Sequence, residues 1–495
     1  MPVLLRNTLY NLAGSIAPIA LALATIPLYI SQIGPERYGA LAIVWLVLGY
    51  FGIFDMGLGR ATARRIARLA ASPARPRATK GSDIFWTAML ANCALGLIGA
   101  AALYIGAGYY FVHHIELNDS MRQQLMASLP LLALAVPVAT ATGVCSGALQ
   151  GREEFLAVNV TTTISSALFQ ILPLICACIL GPDLGGLILA AVIARLIGLG
   201  LFFMHVWQKL LRGTVPHPDP AEARALFSFS GWVTVTAMLA PILVSTDRLM
   251  IGAMISAAAV TVYNVPFEIV QRASLLPRAI GTAIFPRLAA SDETGSRELA
   301  RRANLILLTV TTLPVIGMLF LIRPFLALWA GETLAGQAAP IAWALLAGYW
   351  YNGLAVVPYA RLTAAGRPGL VTMTLALQIP FFIGAMYLAI THYGLVAAAW
   401  VFAARCLADL LIMNRLSSGR PGFPPLAGFL AFVVTGLALA MPWLDGVRGL
   451  WATLLTGIVI GTVVGTVQIR RMPDEMRPVL QRFLPDPVFR TLRFI

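Results

Sequence analysis

Long apolar runs dominate the chain, and short breaks marked by charged residues, proline or glycine separate them. Most runs reach about 20 residues, the length that an α-helix needs to cross the ~30 Å hydrocarbon core of a bilayer. Backbone groups in lipid have no water to bond to, so such runs must be helical. The pattern predicts an all-α polytopic membrane protein with fourteen spans, at residues 8–30, 38–57, 84–112, 125–149, 155–180, 184–207, 225–251, 260–285, 305–328, 340–360, 369–390, 395–413, 426–443 and 450–467. The last two are the shortest, so twelve spans remain open.

Composition agrees with this pattern. Of 495 residues, 59% are hydrophobic and only 11% are charged. Soluble proteins carry about a quarter of their residues as charges, and so little charge cannot cover the surface of a water-soluble fold. A cytosolic enzyme, a secreted domain and a disordered protein are therefore excluded. The first apolar run is too long for a signal peptide and predicts an uncleaved first helix.

Basic residues concentrate after even-numbered helices. They are Arg60, Arg64, Arg65, Arg68, Arg75, Arg77, Lys80, Lys209, Arg212, Arg224, Arg287, Arg297, Arg301 and Arg302. The loop after helix 3 instead contains Glu116 and Asp119. Because arginine and lysine favour the cytoplasmic side, both termini are predicted to be cytoplasmic. The net charge of +14 then reflects topology and indicates no nucleic-acid partner.

Four short matches indicate an internal repeat. RLAAS at 68–72 recurs at 287–291, a Gly-Arg pair at 151–152 recurs at 366–367, LFQILP around Gln170 matches LALQIP around Gln378, and GLILAA at 186 matches GLVAAA at 394. Each match lies six helices from its counterpart. This predicts two parallel six-helix lobes (1–212 and 213–420), followed by two additional helices (421–470) and a cytoplasmic tail (471–495). Such a plan, with a site between the lobes, is typical of alternating-access transporters, although duplication for stability alone stays open.

Several motifs resemble those of a known family. They are PLY at 27–29, Gly34 followed by Tyr38-Gly39, FDMGLGRATAR at 54–64, DRLMIGAMISAAAVTVYNVPFEI at 247–269 and IFPRLAA at 284–290. Over about residues 8–413 the chain is similar to polysaccharide flippases of the multidrug/oligosaccharidyl-lipid/polysaccharide exporter superfamily. The resemblance implies two six-helix bundles forming a V, with two extra helices, and a lipid-linked oligosaccharide as substrate. Ser256 departs from the glycine that the family usually has between helices 7 and 8.

The ionisable residues within the predicted spans are candidates for function. An ionised side chain at membrane depth costs a few kcal/mol, so it usually faces a partner or a wet cavity. The spans contain six arginines (Arg195, Arg248, Arg272, Arg278, Arg323, Arg405) and four acids (Asp55, Asp247, Glu268, Asp409). This excess of positive charge suits a diphosphate, which the planar fork of arginine binds well.

Individual roles follow from position. Glu268 and Arg272 are one helical turn apart and are expected to pair, whereas Arg278 has no acid nearby and is the preferred anion site. The substrate-binding candidates are Arg278, Arg272, Arg248, Arg195 and Arg60. The candidates for coupling to H⁺ or Na⁺ are Asp55, Asp247 and Glu268, and Arg405 with Asp409 is expected to form a structural pair. Pro266 and Pro277 are predicted kinks in helix 8.

No resident metal or other cofactor is expected. The five cysteines, at 93, 145, 176, 178 and 406, lie in apolar stretches and read as small buried residues. His113 and His114 with Glu116 resemble metal spacing only superficially.

The sequence thus favours a flippase that moves a polyprenyl-pyrophosphate-linked oligosaccharide to the periplasmic leaflet by alternating access, driven by an ion gradient. Its expected partners are that lipid-linked substrate, membrane lipid, and a polysaccharide polymerase or glycosyltransferase machinery. The alternative is a cation-coupled multidrug antiporter of the same superfamily, which would have an acidic cavity. A membrane glycosyltransferase, ligase or polymerase is disfavoured, because such enzymes usually carry a large extracytoplasmic loop and this chain has only short ones.

Overall fold

The computed structural model describes residues 2–49, 57–71, 77–114, 118–220, 222–224, 243, 245–418, 425–447, 456–457 and 459–464. These residues form helices joined by short turns, and no strand occurs among them. Contacts divide the chain into two compact units, Met1–Thr261 and Val262–Ile495. The predicted lobe boundaries at residues 212, 420 and 470 stay predictions.

The first unit contains α1 to α7 and the start of α8. The helices are α1 (Pro2–Gly49), α2 (Leu58–Ala71), α3 (Arg77–His113), α4 (Asp119–Gly151), α5 (Phe155–Leu180), α6 (Leu184–Val206) with a π-helical turn at Trp207–Leu211, α7 (245–254) and α8 (Ala257–Val270). Short turns make sequence neighbours pack together, as α3 does against α4 and α5 against α6. Ser256 accepts a hydrogen bond from the Ala259 amide at 3.1 Å, so this serine caps α8 where the family usually has glycine.

The second unit is built around one buried helix. After α8 come a 3₁₀ turn (Gln271–Ser274), α9 (Leu275–Ala290), α10 (Glu293–Ala330), α11 (Glu332–Ala364), α12 (Pro368–Ser418) and α13 (Pro425–Val447). α11 packs against α9, α10, α12 and α13, and its middle, which is apolar on every side, is buried on every side. Its two buried indoles are satisfied, because Trp343 donates to the Leu319 carbonyl at 2.9 Å and Trp350 to Thr312 Oγ1 at 3.2 Å.

Seven helices in the described part of the chain are long and apolar enough to cross a membrane. They are Gly81–His113, Asp119–Gly151, Phe155–Leu180, Leu184–Leu211, Glu293–Ala330, Pro368–Ser417 and Leu426–Leu444. The chain is therefore a helical, multi-pass membrane protein, as predicted. The count of fourteen spans stays a prediction.

Two of the longest helices are broken by a glycine. α1 has 48 residues and α12 has 51, about twice what one crossing needs. Gly34 interrupts α1 with φ 80° and ψ 163°, and Gly394 interrupts α12 with φ 75° and ψ −159°. Only glycine adopts this backbone region readily. The breaks fall where the sequence predicts the turns between helices 1 and 2 and between helices 11 and 12.

Replacement of Gly34 by alanine is expected to destabilise the protein by about 1–3 kcal/mol through backbone strain. A Cβ built at Gly34 meets no atom within 4 Å, so a steric clash would not contribute. Thermal unfolding of the purified protein in detergent measures the effect. Gly200→Ala is the matched control, because Gly200 lies within α6 and also has open space around it. Equal unfolding temperatures for the two variants would contradict the strain argument.

The eighth predicted span, at residues 260–285, is not one continuous helix in the structure, so this prediction is wrong. The structure divides that stretch into α8, the 3₁₀ turn and α9. Pro277 has no N–H, and its ring crowds the carbonyl of the residue four positions earlier. That residue, Ala273, lies in the 3₁₀ turn Gln271–Ser274, where the α-helix is interrupted. Pro266, the other predicted kink, lies inside α8 without ending it.

The predicted loop after helix 2 is also partly helical. α2 is an amphipathic helix that buries Ala61, Thr62 and Ile66 and exposes Arg60 and Arg64. Its packing on α4 is close, because a Cβ at Gly147 would lie 2.1 Å from the Gly59 carbonyl oxygen.

The segment that follows α6 is fastened to α2 and α3 in the first unit. Thr214 donates to Ser82 Oγ at 2.9 Å, and the Asp219 amide donates to Thr87 Oγ1 at 2.9 Å. Arg65 forms two hydrogen bonds to the Glu222 carboxylate, at 2.7 and 2.9 Å. These bonds to Glu222 raise the pKa of Arg65 above its ordinary value.

Candidate functional site

Three predicted site residues lie together on α8, the 3₁₀ turn and α9. Arg272 Nη2 donates to Glu268 Oε2 at 2.9 Å, and the two side chains are 33% and 27% exposed. The expected pairing of these residues is therefore present. Each charge offsets the desolvation cost of the other, so the pair adds no net charge at this depth.

Arg278 lies on the exposed face of α9. The opposite face is buried through Pro277 and Gly281 and packs against α11 so closely that a Cβ at Gly281 would lie 2.3 Å from Val356 Cγ1. Arg278 and Thr282 consequently remain exposed within their unit. No ion pair joins Arg278 to any residue that the structure describes. A guanidinium in this setting needs an anion or water as its partner.

The first unit contains a second cation within its helices. Arg195, on α6, places its guanidinium 4.7 Å from the ring centroid of Phe169 on α5, a cation–π contact. The Phe169 ring contacts the Trp45 ring, with 5.8 Å between their centroids. The Trp45 ring in turn contacts the Tyr29 ring, with 5.3 Å between their centroids. Among the described side chains, Arg195 has no acidic partner. α1, α5 and α6 thus form an aromatic layer with one uncompensated positive charge.

Hydrogen bonds to Gln170 hold this aromatic layer together. Thr25 donates to Gln170 Oε1 at 3.2 Å, and the Tyr29 hydroxyl donates to the Gln170 carbonyl at 2.7 Å. The sequence predicted Arg195 but not these neighbours. LFQILP, noted only as a repeat, contains both Phe169 and Gln170 and was the signal that could have found them.

Asp247 and Arg248 form a deeply buried pair in the first unit. Asp247 is fully buried and Arg248 is 5% exposed. Asp247 Oδ1 accepts a hydrogen bond from the Arg248 amide at 2.8 Å and lies 3.5 Å from the guanidinium Nε. The next residue, Leu249, accepts a hydrogen bond from the Tyr110 hydroxyl at 2.7 Å through its carbonyl. The hydrogen bond from Tyr110 thus joins α3 to α7 directly beside this pair.

Arg405 and Asp409, the predicted structural pair, both lie on α12 and contact further residues of that helix. Gln378 Nε2 donates to Asp409 Oδ1 at 3.0 Å. The Arg405 guanidinium lies 5.5 Å from the Phe382 ring centroid and 5.3 Å from that of Phe402. Each unit therefore places an arginine over a phenylalanine of the preceding membrane segment, in the part of the repeat marked by Gln170 and Gln378. The structural role of the pair stays a prediction.

The remaining predicted residues contribute less. Arg60 is exposed on α2, outside the apolar runs, and Arg323 pairs with Glu332 at 2.6 Å across the turn between α10 and α11. Asp55 lies outside the described residues. His113 and His114 both contact the Tyr109 ring, and Glu116 is not among the described residues. No cluster of three metal-binding side chains occurs in the part of the chain that the structure describes.

Within the described spans, the acidic residues differ from two of the arginines in whether they have a partner. Asp247, Glu268 and Asp409 each accept a hydrogen bond from a neighbouring group. Arg195 and Arg278 have no acidic partner among the described residues. Within the described spans the uncompensated charge is thus positive, and chemically this arrangement attracts an anion.

Comparison with known proteins agrees with this geometry. A family model described as "Polysaccharide biosynthesis protein" matches residues 4–292. A protein of Shigella flexneri named "Putative O-antigen transporter" is 28% identical over 420 residues, which cover 83% of this chain and 97% of that protein.

Two solved structures share the fold at low identity. One is the lipid II flippase MurJ in an inward closed conformation, with a TM-score of 0.71, 11% identity, and coverage of 96% of this chain and 99% of that chain. The other is a multidrug resistance MATE family transporter of the MOP superfamily in an inward-facing conformation, with a TM-score of 0.63, 15% identity, and coverage of 87% and 95%. The predicted resemblance is confirmed. The relatives are named as transporters and a flippase and not as enzymes, which agrees with the expectation that this chain is not an enzyme.

Proposed function

Since the chain belongs to the polysaccharide biosynthesis protein family, we propose that it is a flippase for a polyprenyl-pyrophosphate-linked oligosaccharide. It moves this substrate from the cytoplasmic to the periplasmic leaflet of a bacterial inner membrane, with both termini in the cytoplasm. A polysaccharide polymerase or glycosyltransferase machinery supplies or consumes the substrate. The O-antigen transporter name of the Shigella flexneri relative and the flippase fold support this assignment.

One observation supports this substrate class over a cation. The three described acids in the spans are already engaged, whereas Arg195 and Arg278 have no acidic partner among the described residues. A cation exporter is expected to show the opposite excess, of carboxylates over guanidinium groups, in its path. A diphosphate needs guanidinium groups, whose fork matches phosphate oxygens.

The proposed mechanism assigns each group a task. Arg278, exposed on α9, binds the diphosphate while the polyprenyl tail stays in the bilayer. Arg195, stacked on Phe169, offers a second cation beside aromatic rings that can pack against sugar faces. The helices then expose these groups to the two sides of the membrane in turn, as in alternating access.

Coupling to an ion gradient is assigned to a carboxylate. Glu268 is the best placed of the described candidates, because it is partly exposed and its partner Arg272 lies in the 3₁₀ turn. Binding of a proton or Na⁺ by Glu268 would release Arg272 and so change the turn that joins α8 to α9.

Deletion of the gene in its host, followed by analysis of carrier lipids, tests the function. The flippase assignment predicts that lipid-linked oligosaccharide accumulates on the cytoplasmic side and that the surface glycan is lost. A plasmid copy of the wild-type gene should restore both. Unchanged glycans together with increased sensitivity to cationic dyes would refute the assignment and favour the multidrug antiporter.

A further inference from the structure

The second unit contains a polar cavity at the end of α9, whereas Arg278 lies near the start of that helix. It has a volume of about 310 Å³ and lies among the ends of α9, α11 and α12 and the start of α10. Its walls carry Arg361, Arg367, Glu293 and three serines, Ser291, Ser296 and Ser417. The loops at these helix ends follow the eighth, tenth and twelfth predicted spans (260–285, 340–360 and 395–413). The predicted topology therefore places the cavity at the cytoplasmic surface.

Arg361 is the buried cation of this cavity. Its residue is 8% exposed, and its Nη1 donates to the Ser417 carbonyl and, at 3.3 Å, to Ser417 Oγ. These bonds hold the guanidinium in one orientation against the end of α12. Nε and Nη2 form no hydrogen bond with the described residues, so they are available to a ligand. A buried cation with free donors is what a phosphate site requires.

The other charges around the cavity leave it positive. Glu293 is paired with Arg297 through a 2.7 Å contact, so its charge is compensated. Arg367 is exposed and has no ion pair among the described residues. With Arg361, Arg367 and Arg297 against Glu293, the local net charge is three minus one, or about +2, which matches a phosphate.

The cavity also has an apolar side. Leu288, Leu362 and Leu416 line it together with Ala364 and Ala365, and Leu416 is itself 38% exposed. A ligand with a phosphate and a hydrocarbon part would satisfy both sides. The position at the end of membrane helices suits the depth of a lipid headgroup.

We propose that this cavity binds the phosphate of an anionic ligand, with Arg361 and Arg367 as its donors. A phospholipid headgroup and free inorganic phosphate offer the same chemistry, and binding measurements separate them. The proposal does not depend on flipping, because binding is measured on the purified protein without transport.

The experiment compares two probes on wild type and three variants. Native mass spectrometry measures retention of phosphatidylglycerol against phosphatidylcholine, and isothermal titration calorimetry measures binding of inorganic phosphate. Arg367→Gln removes an exposed cation with no packing role and should weaken binding about tenfold, the worth of one charge-assisted hydrogen bond. Arg361→Lys keeps the charge but loses the fork, and should also weaken binding.

Arg415→Gln is the matched control. Arg415 is exposed near the end of α12 and does not line the cavity. Retention of phosphatidylglycerol that depends on Arg367 and not on Arg415 would establish a lipid site, and calorimetric binding of phosphate with the same dependence would establish a free-phosphate site. Absence of both, or an equal loss in Arg415→Gln, would overturn the proposal.

Discussion

Arg278→Gln is expected to lower the rate of translocation of the lipid-linked oligosaccharide by about tenfold or more, because a charge-assisted hydrogen bond to the diphosphate is lost. The unfolding temperature should not change, since Arg278 is exposed on α9 and has no ion pair with the described residues. Arg278→Lys should retain part of the activity, because it keeps the charge but not the planar fork. Transport assays with purified variants in vesicles, alongside thermal unfolding, check both statements.

Arg287→Gln is the control for Arg278. Arg287 is exposed near the end of the same helix, beyond the predicted span, and its loss removes the same charge. It should transport at the wild-type rate. Normal transport by Arg278→Gln, or an equal loss in Arg287→Gln, would show that the anion site lies elsewhere.

The largest expected effect on stability follows from Asp247→Asn. The variant leaves Arg248, which is 5% exposed, without the carboxylate that now lies 3.5 Å from its guanidinium. Breaking a buried ion pair by removing one partner costs about 3–5 kcal/mol. A lower unfolding temperature in detergent, together with reduced yield of folded protein, is the expected result.

Glu268→Gln provides the comparison, since it makes the same chemical change in a pair that is partly exposed. Its stability cost should be smaller than that of Asp247→Asn, because the Arg272 side chain is 33% exposed and therefore less desolvated by the protein. If the two variants unfolded at the same temperature, burial would not be what distinguishes these pairs.

The sequence predicted the helices well where the bilayer defines them. Apolar runs end where hydrocarbon ends, so the breaks at Gly34 and Gly394 coincide with predicted turns. Polar segments that extend a helix beyond its apolar run could not be predicted from hydropathy. α10 begins at Glu293, twelve residues before its predicted span at 305, because Asp292 caps it by accepting from the Gly295 amide.

The site residues were predictable as types but not as partners. Hydropathy reveals a charge within an apolar run, and one-turn spacing on a single helix was enough to predict the pair of Glu268 and Arg272. Contacts between helices carry no such signal. The hydrogen bond from Gln378 to Asp409 and the stacking of Arg195 on Phe169 depend on tertiary packing that a single sequence does not show.

Transport by the purified protein in vesicles tests the central claim most directly. Vesicles loaded with polyprenyl-pyrophosphate-linked oligosaccharide are probed for glycan that becomes accessible on the opposite side, with and without a proton or Na⁺ gradient. We predict that wild type moves the glycan, that Arg278→Gln does so at least about tenfold more slowly, and that a cationic dye neither moves nor competes. Gradient-driven transport of the dye, with no movement of the glycan, would contradict the account.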